Sequence, residues 1–138
     1  MTIMMQSPLA LVDSINWNTA QLYLSIGRLN QALTLAYEVV QKEPTQQEIY
    51  LNFYLKAMRL GAEFAEEVDD HGKAAFYWEQ ISQRQPQNAD AWYGLGIAKA
   101  NLQDYRAADA YLRRSLQIDP NNSQIRDRLQ KIQAYLRA

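Results

Sequence analysis

Apolar residues recur along this chain at three- and four-residue steps, the period of a helix face, and give no strand signals of note. Ile125, Leu129, Ile132 and Leu136 form one such stripe, with Arg126, Lys131 and Gln133 facing elsewhere. They predict a separate helix from Ser123 to about Arg137. Leu11, Ile15, Leu22 and Ile26 form a second stripe near the start. Ser7 and Pro8 suit an N-cap and first helical position, and Gly27 suits a stop, so the first helix is expected over about 8–26. No Gly or Pro falls between Thr45 and Leu60. That absence of a loop signal predicts a helix from about Gln47 to Val68, ~33 Å long at the usual rise, ended by a turn at Asp69–Gly72.

Residues 89–122 carry a more specific pattern. Trp92, Leu95 and Gly96 fall on a first helix, Ala108 and Leu112 on a second, and Pro120 closes the unit. This stretch closely resembles one tetratricopeptide repeat (TPR), a helix–turn–helix unit of about 34 residues. Such a unit cannot bury its apolar face alone, so the resemblance implies stacked neighbours. Pro86 lies 34 residues before Pro120. Counting back by that period places Gly61 and Ala62 on Leu95 and Gly96, Ala74 on Ala108, and Trp78 on Leu112. Small residues at these places let two helices approach closely, and large ones fill the space beside them. A third unit ends at Pro44, with Ala20 on its first helix, Gly27 at its turn, and Ala32 and Ala36 on its second. Pro44 and Pro86 are 42 apart, eight more than one period, and the insertion is assigned to the helix over 47–68.

The resemblance therefore implies an all-α, right-handed TPR superhelix of about seven helices in a single domain, 1–138. Its repeats span about 13–46, 47–88 (with the eight-residue helical insertion) and 89–122, and a capping helix spans 123–137. The first helices of repeats 1 and 2 are elongated at their N-terminal ends, and the two extensions are expected to pack on each other.

Composition adds exclusions. A net charge of −1 gives no bulk attraction to nucleic acid or anionic membrane. The charge is uneven, however. Glu63, Glu66, Glu67, Asp69 and Asp70 cluster before the middle turn, and the C-terminal third is rich in arginine. These are either solvated helix surfaces or a basis for attraction between copies or to an acidic partner. There is no cysteine, hence no disulfide or thiolate chemistry, and no apolar run of the ~20 residues that span a membrane. The start lacks the charged region of a secretory signal, so a cytoplasmic protein is expected. The only histidine, His71, is read as a turn residue. No metal-ligand spacing, nucleophile–base pair or phosphate loop is present, so neither catalysis nor a metal or cofactor is expected.

The resemblance also locates a binding groove, since TPR first helices line a concave surface that holds a peptide. The matching positions hold Trp17, Gln21 and Leu24, then Arg59, Glu63 and Glu67, then Tyr93, Ile97 and Asn101. Aromatic and aliphatic residues around a charged pair suit an amphipathic helix or an extended apolar peptide. The alternative is that Trp17 and Tyr93 pack on neighbouring helices. One TPR class grips a chaperone C-terminus ending GluGluValAsp with two Lys, two Asn and an Arg. Here those positions hold Trp17, Gln21, Leu60, Asp90 and Gly94, so that ligand is not expected, and the internal GluGluValAsp at 66–69 is read as coincidence.

The first helix has a further property. From Pro8 to Ile26 its only charged residue is Asp13, and no earlier helix covers Leu11, Ile15, Leu22 and Ile26. An apolar face of that kind needs a cover. Either Met1 to Met5 fold over it, or a second copy or another protein does, a homodimer through this face being one outcome.

Overall fold

The computed structural model describes residues 19–25, 27–42 and 47–138, and all its regular elements among them are helices. Residues 19–25 belong to α1. Then follow α2 (Leu29–Lys42), α3 (Gln47–Glu67), α4 (His71–Arg84), α5 (Ala89–Asn101), α6 (Tyr105–Ile118) and α7 (Ser123–Arg137). The described residues thus give three helix pairs and a seventh helix. The helix α3 has 21 residues and α5 has 13, a difference of 8 that accounts for the whole excess between the two proline intervals.

The turn inside each pair is built the same way three times. The N–H of Gly27 donates to the Leu24 carbonyl (3.1 Å) and that of Arg28 to Tyr23 (2.8 Å). Asp69 and Asp70 repeat this towards Glu66 (3.2 Å) and Ala65 (2.8 Å), and Gln103 and Asp104 towards Ala100 (2.9 Å) and Lys99 (2.9 Å). This is a Schellman-type ending, which needs one residue in the left-handed region. That residue is Gly27 (φ 79°), then Asp69 (φ 58°), then Gln103 (φ 66°). The spacings are again 42 and 34. Only the first is a glycine.

Asp70 then caps α4, its Oδ1 accepting from the Lys73 N–H at 3.2 Å, and Asp104 caps α6 through the Ala107 N–H at 3.3 Å. This corrects the expected turn at 69–72. His71 and Gly72 already belong to the first turn of α4, because the Asp70 carboxylate satisfies a free N–H there and starts the helix two residues earlier than that turn implied. The left-handed conformation costs a side-chain-bearing residue ~1–2 kcal/mol. Gln103→Gly is therefore expected to stabilise the protein, by about 0.5–1 kcal/mol after the greater freedom of glycine in the unfolded chain is counted. Urea unfolding midpoints check this, and an unchanged or lower midpoint contradicts it.

Packing divides between Ala57 and Met58, within α3. On the first side, Ala20, Leu24, Ala32, Ala36, Val39, Phe53 and Ala57 form a buried cluster, with Tyr23, Leu29 and Tyr50 half-buried against it. Ala20, Ala32 and Ala36 are the small residues expected at close helix contacts, and all three are fully buried.

On the second side, α4 packs on α5, α5 on α6 and α6 on α7. Ala74, Trp78, Leu95, Ala108 and Leu112 are buried there. Gly96 is required by contact: a Cβ at this position would come 2.9 Å from both Cγ and Cδ2 of Leu112. The helix α7 adds Leu129 and Ile132 to Ala108 and Leu112. Its expected stripe is shorter than the spacing implied, since Leu136 lies one turn past the core and is 42% exposed. Beside it Tyr135 stacks on Tyr105, centroids 4.7 Å apart.

The turn into α7 copies the turn into α5. Asn88 and Asn122 are the N-caps, and the Trp92 Nε1–H bond to the Pro86 carbonyl (2.9 Å) is replaced by Arg126 Nη2–H to that of Pro120 (3.0 Å). Trp92 is half-buried, stacked on Tyr111 at 5.8 Å. Its polar edge faces the turn, which keeps it out of the core. The N-terminal extension of the first helix, its packing on α3, the Met1–Met5 cover and Pro44 lie outside the described residues. No described helix is long and apolar enough to cross a membrane.

Candidate functional site

The expected groove positions from Arg59 to Asn101 fall on α3 and α5, and Trp78 of α4 lies between those two helices. Trp78 is 5% exposed and lies against α5 at Gly94. A Cβ at residue 94 would come 2.5 Å from Cε2 and 2.6 Å from Cδ2 and Nε1 of the indole, so only glycine lets the helix pass this ring. The indole N–H donates to Glu66 Oε1 on α3 at 2.6 Å. A bond to an ionised carboxylate is shorter and stronger than a neutral one. The Arg59 guanidinium carbon lies 5.3 Å from the Trp78 ring centroid, within cation–π range. Its Nη2 stands 3.9 Å from Asp90 Oδ2 on α5.

Glu66, Trp78, Arg59 and Asp90 thus tie three helices together. The ties differ in strength. Trp78 is buried, whereas the Arg59 and Asp90 side chains are 41% and 79% exposed. At 3.9 Å in water that ion pair contributes ~0–1 kcal/mol. Arg59 is therefore steadied by the ring while remaining open to exchange Asp90 for another anion or acceptor. Glu63 and Glu67 lie exposed on the same helix, one turn apart.

The other expected groove residues are placed as follows. Tyr93 and Ile97 are half-buried and pack against the cluster of Ala108, Leu112, Leu129 and Ile132. Asn101 is exposed at the last position of α5. In the first unit Gln21 is exposed, and Leu24 is buried in the core cluster beside Ala20 and Ala36. Trp17 lies outside the described residues, as do Leu11, Ile15 and Ile26 of the expected self-association face. Leu22 of that face is 61% exposed. The sequence pointed to Trp78 only as a space-filler, and to Asp90 and Gly94 only as departures from a carboxylate clamp. The available signal was the glycine pair 94 and 96, two small residues in one short helix opposite a tryptophan. Among the described residues no group of three or more His, Cys, Asp or Glu side chains is placed to hold a metal ion.

A sequence model of the tetratricopeptide repeat matches residues 89–122. Several solved structures share the fold. The first TPR of Spaghetti (RPAP3), bound to the HSP90 peptide SRMEEVD, is 17% identical with a TM-score of 0.59, covering 91% of this chain and 94% of that one. The C-terminal TPR-containing domain of a Plasmodium falciparum protein designated an FK506-binding protein is 19% identical with a TM-score of 0.61, over 91% of this chain and 88% of that one. The Sgt2 TPR domain from Aspergillus fumigatus is 18% identical with a TM-score of 0.51, over 95% and 81%. At these identities the likeness is one of fold.

Proposed function

We propose that this chain, which carries a tetratricopeptide repeat at residues 89–122 and shares the fold of TPR domains, is a non-catalytic interaction module, an adaptor or assembly factor that holds a segment of another protein on the face formed by α3 and α5. The observation that carries this reading is Arg59, half-exposed, oriented by the Trp78 ring and only loosely paired with Asp90. Preorganised arginines beside aromatics are frequent hot spots of binding, because little side-chain entropy is left to lose. Exposed Glu63 and Glu67 beside it, with Asn101 at the end of α5, favour an amphipathic segment carrying both apolar and basic groups. The lack of cysteine fits a reducing compartment, and the cytoplasm is the location we assign.

A chaperone tail of the carboxylate-clamp type is not part of this reading. Of the positions such a clamp uses, Asp90 supplies a carboxylate where a cation is needed, and the surface over Gly94 is taken by Trp78. The similarity to Spaghetti, which holds SRMEEVD, is one of fold. A second reading is self-association through the apolar first helix, favoured by the exposure of Leu22. The Leu22→Glu variant described below separates the two.

The test is direct. Peptides are selected by display on the intact chain and titrated against Arg59→Ala and Glu63→Ala, both at surface positions. Each change is expected to weaken binding about tenfold, the equivalent of ~1.4 kcal/mol. Unchanged affinity in both variants contradicts the proposal. SRMEEVD titrated in parallel is expected to give no saturable binding.

A further inference from the structure

The small net charge conceals a strong separation within the second unit. Residues 58–90 carry seven acidic and three basic side chains, a net of −4, and residues 91–138 carry eight basic and four acidic, a net of +4. The packing order keeps these halves apart, since α7 lies on α6, α6 on α5 and α5 on α4. The acidic side ends in an exposed edge on α3 and its turn, where Glu63 and Glu67 alternate with Phe64 (65% exposed) and Val68 (55%). The basic side ends in the outer face of α7. There Arg128 and Lys131 are exposed at helical spacing with Tyr135 (62%), next to Leu136. Among the described residues none of Glu63, Glu67, Arg128 and Lys131 makes an ion pair.

The two edges match in kind and carry opposite charge. Each is a pair of like charges about one helical turn apart, ~6 Å for Glu63 and Glu67 and ~4.5 Å for Arg128 and Lys131, flanked by two apolar side chains. We propose that the α3 edge of one copy docks α7 of a second copy, so that the protein associates head to tail. The occupant is argued from charge: the chain itself supplies the basic amphipathic helix that the acidic, apolar edge fits. Because the two surfaces differ, the contact is heterologous, and each added copy presents a fresh edge. Mass therefore continues to rise with concentration beyond a dimer. Glu63 and Glu67 also belong to the proposed peptide face, so ligand binding and self-association compete there. The proposal goes beyond that reading and fails separately from it, since Arg59→Ala probes the ligand alone and Lys131→Glu the self-contact alone.

The test is light scattering coupled to size exclusion on the full chain, over a concentration series at about 0.1 M and about 1 M salt, where the screening length falls from ~10 Å to ~3 Å. Concentration-dependent growth at low salt and its loss at high salt are expected. Glu63→Lys with Glu67→Lys, and separately Arg128→Glu with Lys131→Glu, are each expected to weaken association at least about tenfold, because like charges then meet. Mixing the two double variants is expected to restore it. All four positions are exposed, and circular dichroism checks that each variant is folded. A monomer at every concentration in low salt overturns the proposal. So does association that survives both reversals, or association that ignores salt and is lost in Leu22→Glu, which assigns the contact to the first helix.

Discussion

Trp78→Ala is expected to cost ~3–5 kcal/mol of stability, the largest loss of any single substitution considered for this chain. Several effects add. The ring is 5% exposed, so its removal leaves a cavity lined by α3, α4 and α5 at the place where Gly94 offers no side chain to collapse into it. The Glu66 carboxylate loses its 2.6 Å donor, and Arg59 loses the surface it rests on. Glu66 is exposed and recovers water, so most of the loss is packing rather than the hydrogen bond. Trp78→Phe separates the terms, keeping much of the ring and costing far less. Equilibrium urea unfolding measures both. A loss under about 1 kcal/mol for Trp78→Ala would mean that Trp78 does not tie the three helices. Because the variant also frees Arg59, peptide affinity should fall even at temperatures where it remains folded.

Gly94→Ala is the second large effect, and its direction is opposite to intrinsic helix propensity. In an exposed helix interior alanine is better than glycine by ~1 kcal/mol. Here the new methyl would stand 2.5–2.6 Å from Cε2, Cδ2 and Nε1 of the Trp78 indole, a rigid ring already held by Glu66 and Arg59. Either the ring or α5 must move, and overpacking of this kind costs ~1–3 kcal/mol. The upper part of that range is expected. Thermal unfolding of Gly94→Ala, Trp78→Phe and the double variant tests the cause. If the clash is with the ring, the smaller Phe partly relieves it, and the double variant is more stable than the sum of the single losses predicts. A stabilised Gly94→Ala would mean that the Trp78 ring does not press on α5 at residue 94.

The repeat register was legible because it depends on residues whose size is constrained in every unit. Pro86, Pro120, Ala74 and Ala108 gave a period, and the ends of α3 and α7 fell where apolar spacing and the absence of breakers put them. The turns were not, because the left-handed position is glycine only at 27. At 69 and 103 Asp and Gln hold the same backbone conformation, imposed by the two Schellman hydrogen bonds and by the cap that follows. His71 was drawn into the turn by Gly72, whereas Asp70 had already capped the helix. The proposed site was legible only in part. Arg59 and Glu63 followed from family positions on α3. Their dependence on Trp78 did not, because the contact from Trp78 to Gly94 joins two repeats and has no local spacing. Tyr93 and Ile97 stood at groove positions by the family resemblance, yet both are half-buried against the cluster of Ala108, Leu112, Leu129 and Ile132.

On the proposed function, the α3–α5 face between Arg59 and Asn101 receives a protein segment. The most direct measurement is amide chemical-shift mapping on the isotopically labelled chain during titration with a display-selected peptide. The largest shifts are expected at residues 59–67 on α3 and 90–101 on α5, with the Trp78 indole N–H moving in step. Saturable binding whose shifts lie elsewhere in the chain, with Arg59, Glu63 and the Trp78 indole unmoved, would contradict the proposed function.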